Sequence, residues 1–182
     1  MKMCRALVTH ANHSVTFNKK LFECQKRYQS KEHDSQCLTL IQDVPTRWNS
    51  TFLMADRILA LMPSLKHILV DMTIAGVNFQ ADDWKLLSQV VEVLRIFHDV
   101  TVEMSKVEAS ISVAIPIVNM ILDQLKPSDG KEDHGIKQWK RDLASEVRRM
   151  FGERMVGDRS RVGGLNIEQN DIFRLATLLD SQ

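Results

Sequence analysis

A mainly α fold, an antiparallel helical bundle-like array with at most one or two short strands, is what this chain of 182 residues predicts. Apolar side chains recur at spacings of three and four over two long stretches, the period of helices that bury a face. Only four Pro and seven Gly interrupt the chain. A single short run, Leu38 to Ile41, has the length and composition of a strand.

Ala6 to Gln29 reads as one or two helices with Leu7, Phe17, Leu21, Cys24 and Tyr28 facing inward, and Asn12 to Ser14 either breaks it or caps its second half. Asp43 and Pro45 stop the strand-like run early. Pro45 biases Val44 toward extended backbone, and Thr46 and Asn49 are both good N-caps, so a helix starts between Thr46 and Ser50. Its apolar stripe runs from Trp48 through Phe52, Ala55, Leu59, Met62, Leu65 and Leu69 to Met72. Pro63 removes the bond to the carbonyl of Leu59, which predicts a kink or a break into two helices. Gly76 and Asn78 make a turn.

A second long helix runs from about Asp82 to Ser105, with acidic residues in its first turn where they favour the helix dipole. Its apolar residues cover more than one face, which places it at the centre of the helical part. Ser112 caps a third helix that tolerates Pro116 in its first turn and carries Ile115, Val118, Ile121, Leu122 and Leu125 to Pro127. After the polar loop Lys126 to Gly135, Ile136, Trp139, Leu143, Val147, Met150 and Phe151 mark a fourth, ended near Gly152 or Gly157. Gly163 and Gly164 turn the chain into a short final helix, Ile167 to Leu179. No tandem repeat occurs.

Charge is segregated although the net value is only +1. Residues 1–31 hold Lys2, Arg5, Lys19, Lys20, Lys26, Arg27 and Lys31 against Glu23, a net +6, while residues 71–108 carry −4. The first end suits a phosphate backbone and the middle does not. A second basic group, Lys137, Lys140, Arg141, Arg148, Arg149, Arg154, Arg159 and Arg161, is partly offset by neighbouring acids and reads as a solvated helix face.

The apolar runs are too short to span a membrane, and the first residues lack the continuous apolar segment of a signal peptide, so an intracellular protein with reduced thiols is expected. The three Cys, at 4, 24 and 37, form no Cys-x-x-Cys and leave one over. His10 and His13 with Cys4, Cys24, His33 and Cys37 contain only one closely spaced pair, short of a structural zinc pattern. No motif fixes a nucleophile and its base, and no Gly-rich phosphate loop occurs.

The stretch Thr46-Arg47-Trp48-Asn49 carries the chemistry. A helix start presents backbone N–H groups to an anion, and Arg47 beside them can pair with a phosphate. Trp48 offers a flat face on which an unpaired base can stack. The alternative is that Trp48 is the first core residue of the helix and Arg47 a solvated neighbour.

The string Asp43-Val44-Pro45-Thr46-Arg47-Trp48-Asn49-Ser50-Thr51, followed by Phe52, Met54 and Arg57, resembles the Thr-Arg-Trp-Asn-Ser signature of hAT-family transposases and their domesticated BED-zinc-finger relatives. Trp84, Leu87, Leu94, Phe97, Thr101 and Ser105 are similar to that family's Trp-led helix, and Ser112, Ile115, Pro116 and Leu122 to its next. Ala176-Thr177-Leu178-Leu179-Asp180 resembles its Ala-Thr-x-Leu-Asp-Pro-Arg segment, with Ser181 and Gln182 in place of Pro-Arg.

The resemblance implies that residues 1–72 are the remnant of an incomplete RNase H-like region and residues 73–182 a helical region like the hAT insertion domain. It implies a nuclear, DNA-associated protein with a role in transcription, in which Arg47, Trp48, Thr46 and Asn49 contact nucleic acid. The basic segment at residues 1–31 adds Lys19, Lys20, Lys26 and Arg27 as candidate phosphate contacts. Upstream of Thr46 the carboxylates are Glu23, Glu32, Asp34 and Asp43, none in a pattern that aims at a two-metal site, so no catalytic residue and no enzyme activity are expected. The family's zinc finger, divalent-metal site and dimerisation region are absent from this sequence, which reads as an internal piece. Partners are then DNA, or other proteins met through helical surfaces, and no membrane. The competing expectations are a helical protein-interaction scaffold and a truncated fragment without independent function.

Overall fold

The structure, a computed structural model, describes residues 1–28, 37–44, 46–105, 114–128 and 132–151. The Tyr28 side chain, the cap at Ser112, the turn at Gly163 and Gly164, and the helix expected over Ile167 to Leu179 lie outside that description. Seven helices form among the described residues: α1 (Lys2–His13), α2 (Val15–Tyr28), α3 (Trp48–Ala60), α4 (Met62–Asp71), α5 (Ala81–Met104), α6 (Ala114–Gln124) and α7 (His134–Phe151). The mainly helical class holds. The chain divides into two compact units, residues 1–91 and 92–182.

In the first unit α1 and α2 are separate helices because Ser14 takes extended backbone, φ −122° and ψ 101°. Its hydroxyl accepts the Phe17 N–H at 3.2 Å, which is N-cap geometry. The Asn18 amide donates to the Ala11 carbonyl at 2.8 Å and ties the two ends. Cys4, Leu7, Val8 and Ala11 of α1 and Phe17, Leu21 and Cys24 of α2 are buried at helical spacing. Of these helices α1 packs on α2 and α3, α2 on α4, and α3 on α4.

Pro63 does its expected work. Helix α3 ends at Leu61, with φ −94° and ψ 4°, and α4 restarts with Pro63 in its first turn, where a missing N–H breaks no bond. The buried face keeps its three-and-four spacing across the break, on a set of residues offset from the expected stripe. Phe52, Met54, Ala55, Ile58, Leu61, Leu65 and Ile68 form the core, whereas Leu59, Met62, Leu69 and Met72 of the expected stripe are half-buried. Trp48 is not the head of that stripe either.

The predicted strand is absent. Residues 37–44 run without a ladder, and an isolated Ile74–Val77 bridge is the only β pairing among the described residues. Side chains satisfy this backbone instead. The Gln25 amide donates to the Leu38 carbonyl at 2.8 Å and accepts its N–H at 2.7 Å, doing for one residue what a neighbouring strand would do. Arg57 donates to the Thr39 carbonyl at 2.9 Å.

The turn closed by the Ile74–Val77 bridge has Gly76 at φ +76°, a left-handed conformation that costs a side-chain-bearing residue. After it, the Asp83 carboxylate accepts the Gln80 N–H at 2.8 Å and starts α5. Trp84 is buried, stacked on Phe79 at a ring separation of 4.6 Å, with the Lys66 ammonium 5.7 Å from its ring. Trp84, Leu87 and Val91 make one buried stripe of α5, and Val93 and Ile96 make another. That accounts for its wide apolar coverage, but Leu86, Val102 and Met104 remain exposed, so α5 is not sheathed all round.

In the second unit α6 packs on α7. Val118, Ile121 and Leu125 are buried on α6, and Ile136, Lys140, Ala144 and Val147 on α7. Expected inward residues depart from this: Trp139 and Leu143 are half-buried and Met150 is exposed. Lys140, read from sequence as part of a solvated basic face, lies inside and pairs with Glu132. Burial raises the Glu132 pKa, but the Lys140 ammonium and the Ser128 N–H outweigh it and leave the carboxyl below its ordinary value.

Candidate nucleic-acid interface

The Thr46–Asn49 corner is built by the residues on either side of it. Asp43 enters first, its side chain wholly shielded from solvent. It accepts from Arg5 of α1 at 2.9 Å (Nε) and 2.8 Å (the terminal nitrogen). Thr51 of α3 donates its hydroxyl at 3.1 Å, and Gln42 its amide at 3.2 Å. The hydrogen bond from Arg5 is the main reason the Asp43 carboxyl is held below the usual carboxylate range, against the opposing effect of burial.

Ser50 fixes the next step. Its hydroxyl oxygen accepts the Val44 N–H at 2.8 Å and lies 2.9 Å from the Val44 carbonyl and 2.7 Å from the Arg47 carbonyl. The Arg47 N–H bonds to the Val44 carbonyl at 2.8 Å, closing a turn. Helix α3 then starts at Trp48 within the expected window, but its N-cap is Arg47, in extended backbone with no side-chain cap bond. Thr46 and Asn49 do not cap it, because the Val44–Arg47 turn sets the start between them.

With the backbone held from behind, Thr46, Arg47 and Trp48 are exposed and Asn49 is half-buried. Trp48 keeps 45% of its surface accessible, while Phe52, one turn on, is 1% exposed and fills the core place. The core reading of Trp48 is therefore incorrect: the turn sets the side chain outside the helix contacts. An uncapped helix start, a guanidinium and an aromatic face lie on adjacent residues.

On α2, Lys19, Lys20, Lys26 and Arg27 are all exposed. The pairs Lys19–Lys26 and Lys20–Arg27 are each two turns apart, so the four share one stripe, interrupted by exposed Glu23. Phe17, Leu21 and Cys24 take the opposite, buried side. Three of the other basic residues are engaged elsewhere: Arg5 with Asp43, Arg57 with Thr39, and Arg149 with Glu146.

Sequence reasoning missed Asp43 as a buried anchor, and its partner Arg5 lies 38 residues away with no local signal to link them. Of the four upstream carboxylates, Asp43 is taken up by that pair, Glu23 is exposed on α2, and Glu32 and Asp34 lie outside the described residues. Cys4 and Cys24 are buried, and burial pushes the Cys4 thiol pKa up. The His10 ring packs edge-on against Phe17 at 5.6 Å. Among the described residues no three His, Cys, Asp or Glu side chains gather to hold a metal ion, and His33 lies outside them. No helix among them is long and apolar enough to cross a membrane.

A helical unit that presents an Arg-Trp pair at a helix start fits the transposase-derived class that the motif implied. A family model described as ZBED1 RNase-like helical domain matches residues 1–93, just over half of the chain, and the chain belongs to that family. The matched residues nearly coincide with the first compact unit. The chain is also 26% identical over 121 residues to human zinc finger BED domain-containing protein 4, an alignment covering 66% of this chain and 10% of that protein. No solved structure matches.

Proposed function

We propose that this chain is a DNA-associated module of a nuclear, BED-zinc-finger-type protein, which binds nucleic acid at the Thr46–Asn49 corner without cleaving it. The observation that carries the reading is the exposure of Trp48, at 45%, beside exposed Arg47 at an uncapped helix start. A large aromatic left half in water gains from stacking on an unpaired base, and the guanidinium and first-turn N–H groups suit the adjacent phosphate. The basic stripe of α2 supports a non-specific electrostatic contribution. Asp43 is engaged by Arg5, which supports assigning the corner to binding rather than to metal-assisted hydrolysis. No cofactor in this chain enters the reading.

The test is a fluorescence titration with single-stranded and hairpin DNA at two salt concentrations. Arg47→Ala and Trp48→Ala are each expected to weaken binding about tenfold, and Arg47→Ala also to flatten the salt dependence. Unchanged affinity in both variants would remove the corner from the interface. A second reading, contact with other proteins through helical surfaces, is favoured by exposed Leu86 of α5 in the first unit. It predicts that Leu86→Asp abolishes partner capture while DNA titrations stay flat.

A further inference from the structure

We infer that Asp43 and Ser50 are positioning residues for the Arg47–Trp48 pair, setting its affinity for nucleic acid without touching the ligand; this rests on the nucleic-acid reading above. Asp43 is buried and Ser50 half-buried, and what they bond is neighbouring protein. The Asp43 carboxylate is saturated by Arg5, Thr51 and Gln42. It thereby ties three places together: the body of α1, the incoming segment and the first turn of α3.

The Ser50 hydroxyl acts on the other side of the turn. A hydroxyl has one proton to donate and two lone pairs to accept with. It takes the Val44 N–H and gives its proton to the carbonyl of Val44 or of Arg47, which lie at 2.9 and 2.7 Å. Both backbone groups of Val44 are thus satisfied from within the corner, the carbonyl also by the Arg47 N–H at 2.8 Å. The φ and ψ of Arg47, −121° and 103°, set where its side chain leaves the chain, and the Ser50 bond bears directly on that residue's carbonyl.

The bonds that hold the corner use none of the side chains of Thr46, Arg47 and Trp48. A binding pair whose backbone is fixed in advance loses less conformational freedom when a ligand orders it, so its affinity is higher than that of the same pair on a loose turn. Removing the Ser50 hydroxyl loosens the turn while leaving Arg47, Trp48 and the buried Arg5–Asp43 pair chemically intact. Asp43→Asn removes the anchor from the other side.

The whole chain is titrated with a fluorescein-labelled single-stranded oligonucleotide as wild type, Trp48→Ala, Ser50→Ala, Asp43→Asn and the double variant Ser50→Ala/Trp48→Ala, each checked for cooperative melting above the assay temperature. Ser50→Ala is expected to weaken binding about threefold to tenfold, and the double variant by less than the product of the two single losses, because one of the two side chains that Ser50 positions is already gone. A structural role unrelated to the corner would leave the single variant unaffected or make the two losses multiply. Either result, with Trp48→Ala itself weakened, overturns the positioning role and leaves the binding site standing. Full affinity in Trp48→Ala overturns the positioning of the pair, and absence of binding by the wild type overturns the binding site and the positioning role together. Should Asp43→Asn fail to fold, Ser50→Ala alone decides the matter.

Discussion

Arg5 and Asp43, 38 residues apart, meet through nitrogen–oxygen contacts of 2.8 to 3.2 Å, and the Asp43 side chain is buried while the Arg5 side chain keeps 39% exposure. The contact joins α1 to the segment that delivers the Arg-Trp corner. Because the pair is only half shielded, its contribution lies well below that of a fully buried ion pair.

Asp43→Asn is expected to lower stability by about 2 kcal/mol at neutral pH, read by urea denaturation. The depressed carboxyl pKa sets the sign of its pH dependence. Stability from this group is present above the unfolded value of about 3.9 and is lost as pH falls through the lower folded value. The variant should therefore lose less stability than wild type on acidification below about pH 4. Equal acid sensitivity in both would show that Asp43 is not the responsible group.

Trp48→Ala and Phe52→Ala separate surface from core. Phe52 is 1% exposed and Trp48 45%. Truncating Phe52 is expected to cost about 3 to 4 kcal/mol, and truncating Trp48 less than about 1. Comparable losses in thermal melts would mean that Trp48 is buried after all.

Gly76→Ala tests the turn between α4 and α5. An added Cβ would meet Ala6 Cβ at 3.7 Å, ordinary contact, so space is not the obstacle. The φ of +76° is, and the substitution is expected to destabilise by about 1 kcal/mol. Gly76→Asn should cost less, since Asn tolerates this conformation better. A stabilising Gly76→Ala would contradict the geometry.

Glu132→Gln probes the second unit. Lys140 is 5% exposed, and removal of its partner leaves a buried ammonium unpaired, an expected loss of about 3 kcal/mol. The double variant Glu132→Leu/Lys140→Met should recover most of it, because the desolvation cost disappears with both charges. If the double variant is as unstable as the single one, the pair is not an isolated buried unit.

Helices were the most legible feature, because burial on one face leaves a periodic trace in the chain itself. The break at Pro63, the cap at Ser14 and the acidic start of α5 each rest on a few neighbouring residues, and all were readable. The strand expected over Leu38 to Ile41 was not formed, since an apolar run reports burial but not who satisfies its backbone. Gln25 and Arg57 do that here, from 13 and 18 residues away. Lys140 was misplaced for the same reason: its composition-level reading depended on Glu132 being elsewhere.

For the Thr46-Arg47-Trp48 corner, the residue types alone determined that an anion-binding cation and a stacking face stand side by side near a helix start, and the longer motif determined the family. Whether Trp48 faces core or water could not be read there, because both answers suit a helix that begins at that residue. Tertiary structure decided it. Asp43 reaches Arg5 across the fold and Ser50 clips Val44, so the chain turns before Trp48 and Phe52 takes the core place. Contacts that distant in sequence leave no periodic trace, and they determine which way the corner faces.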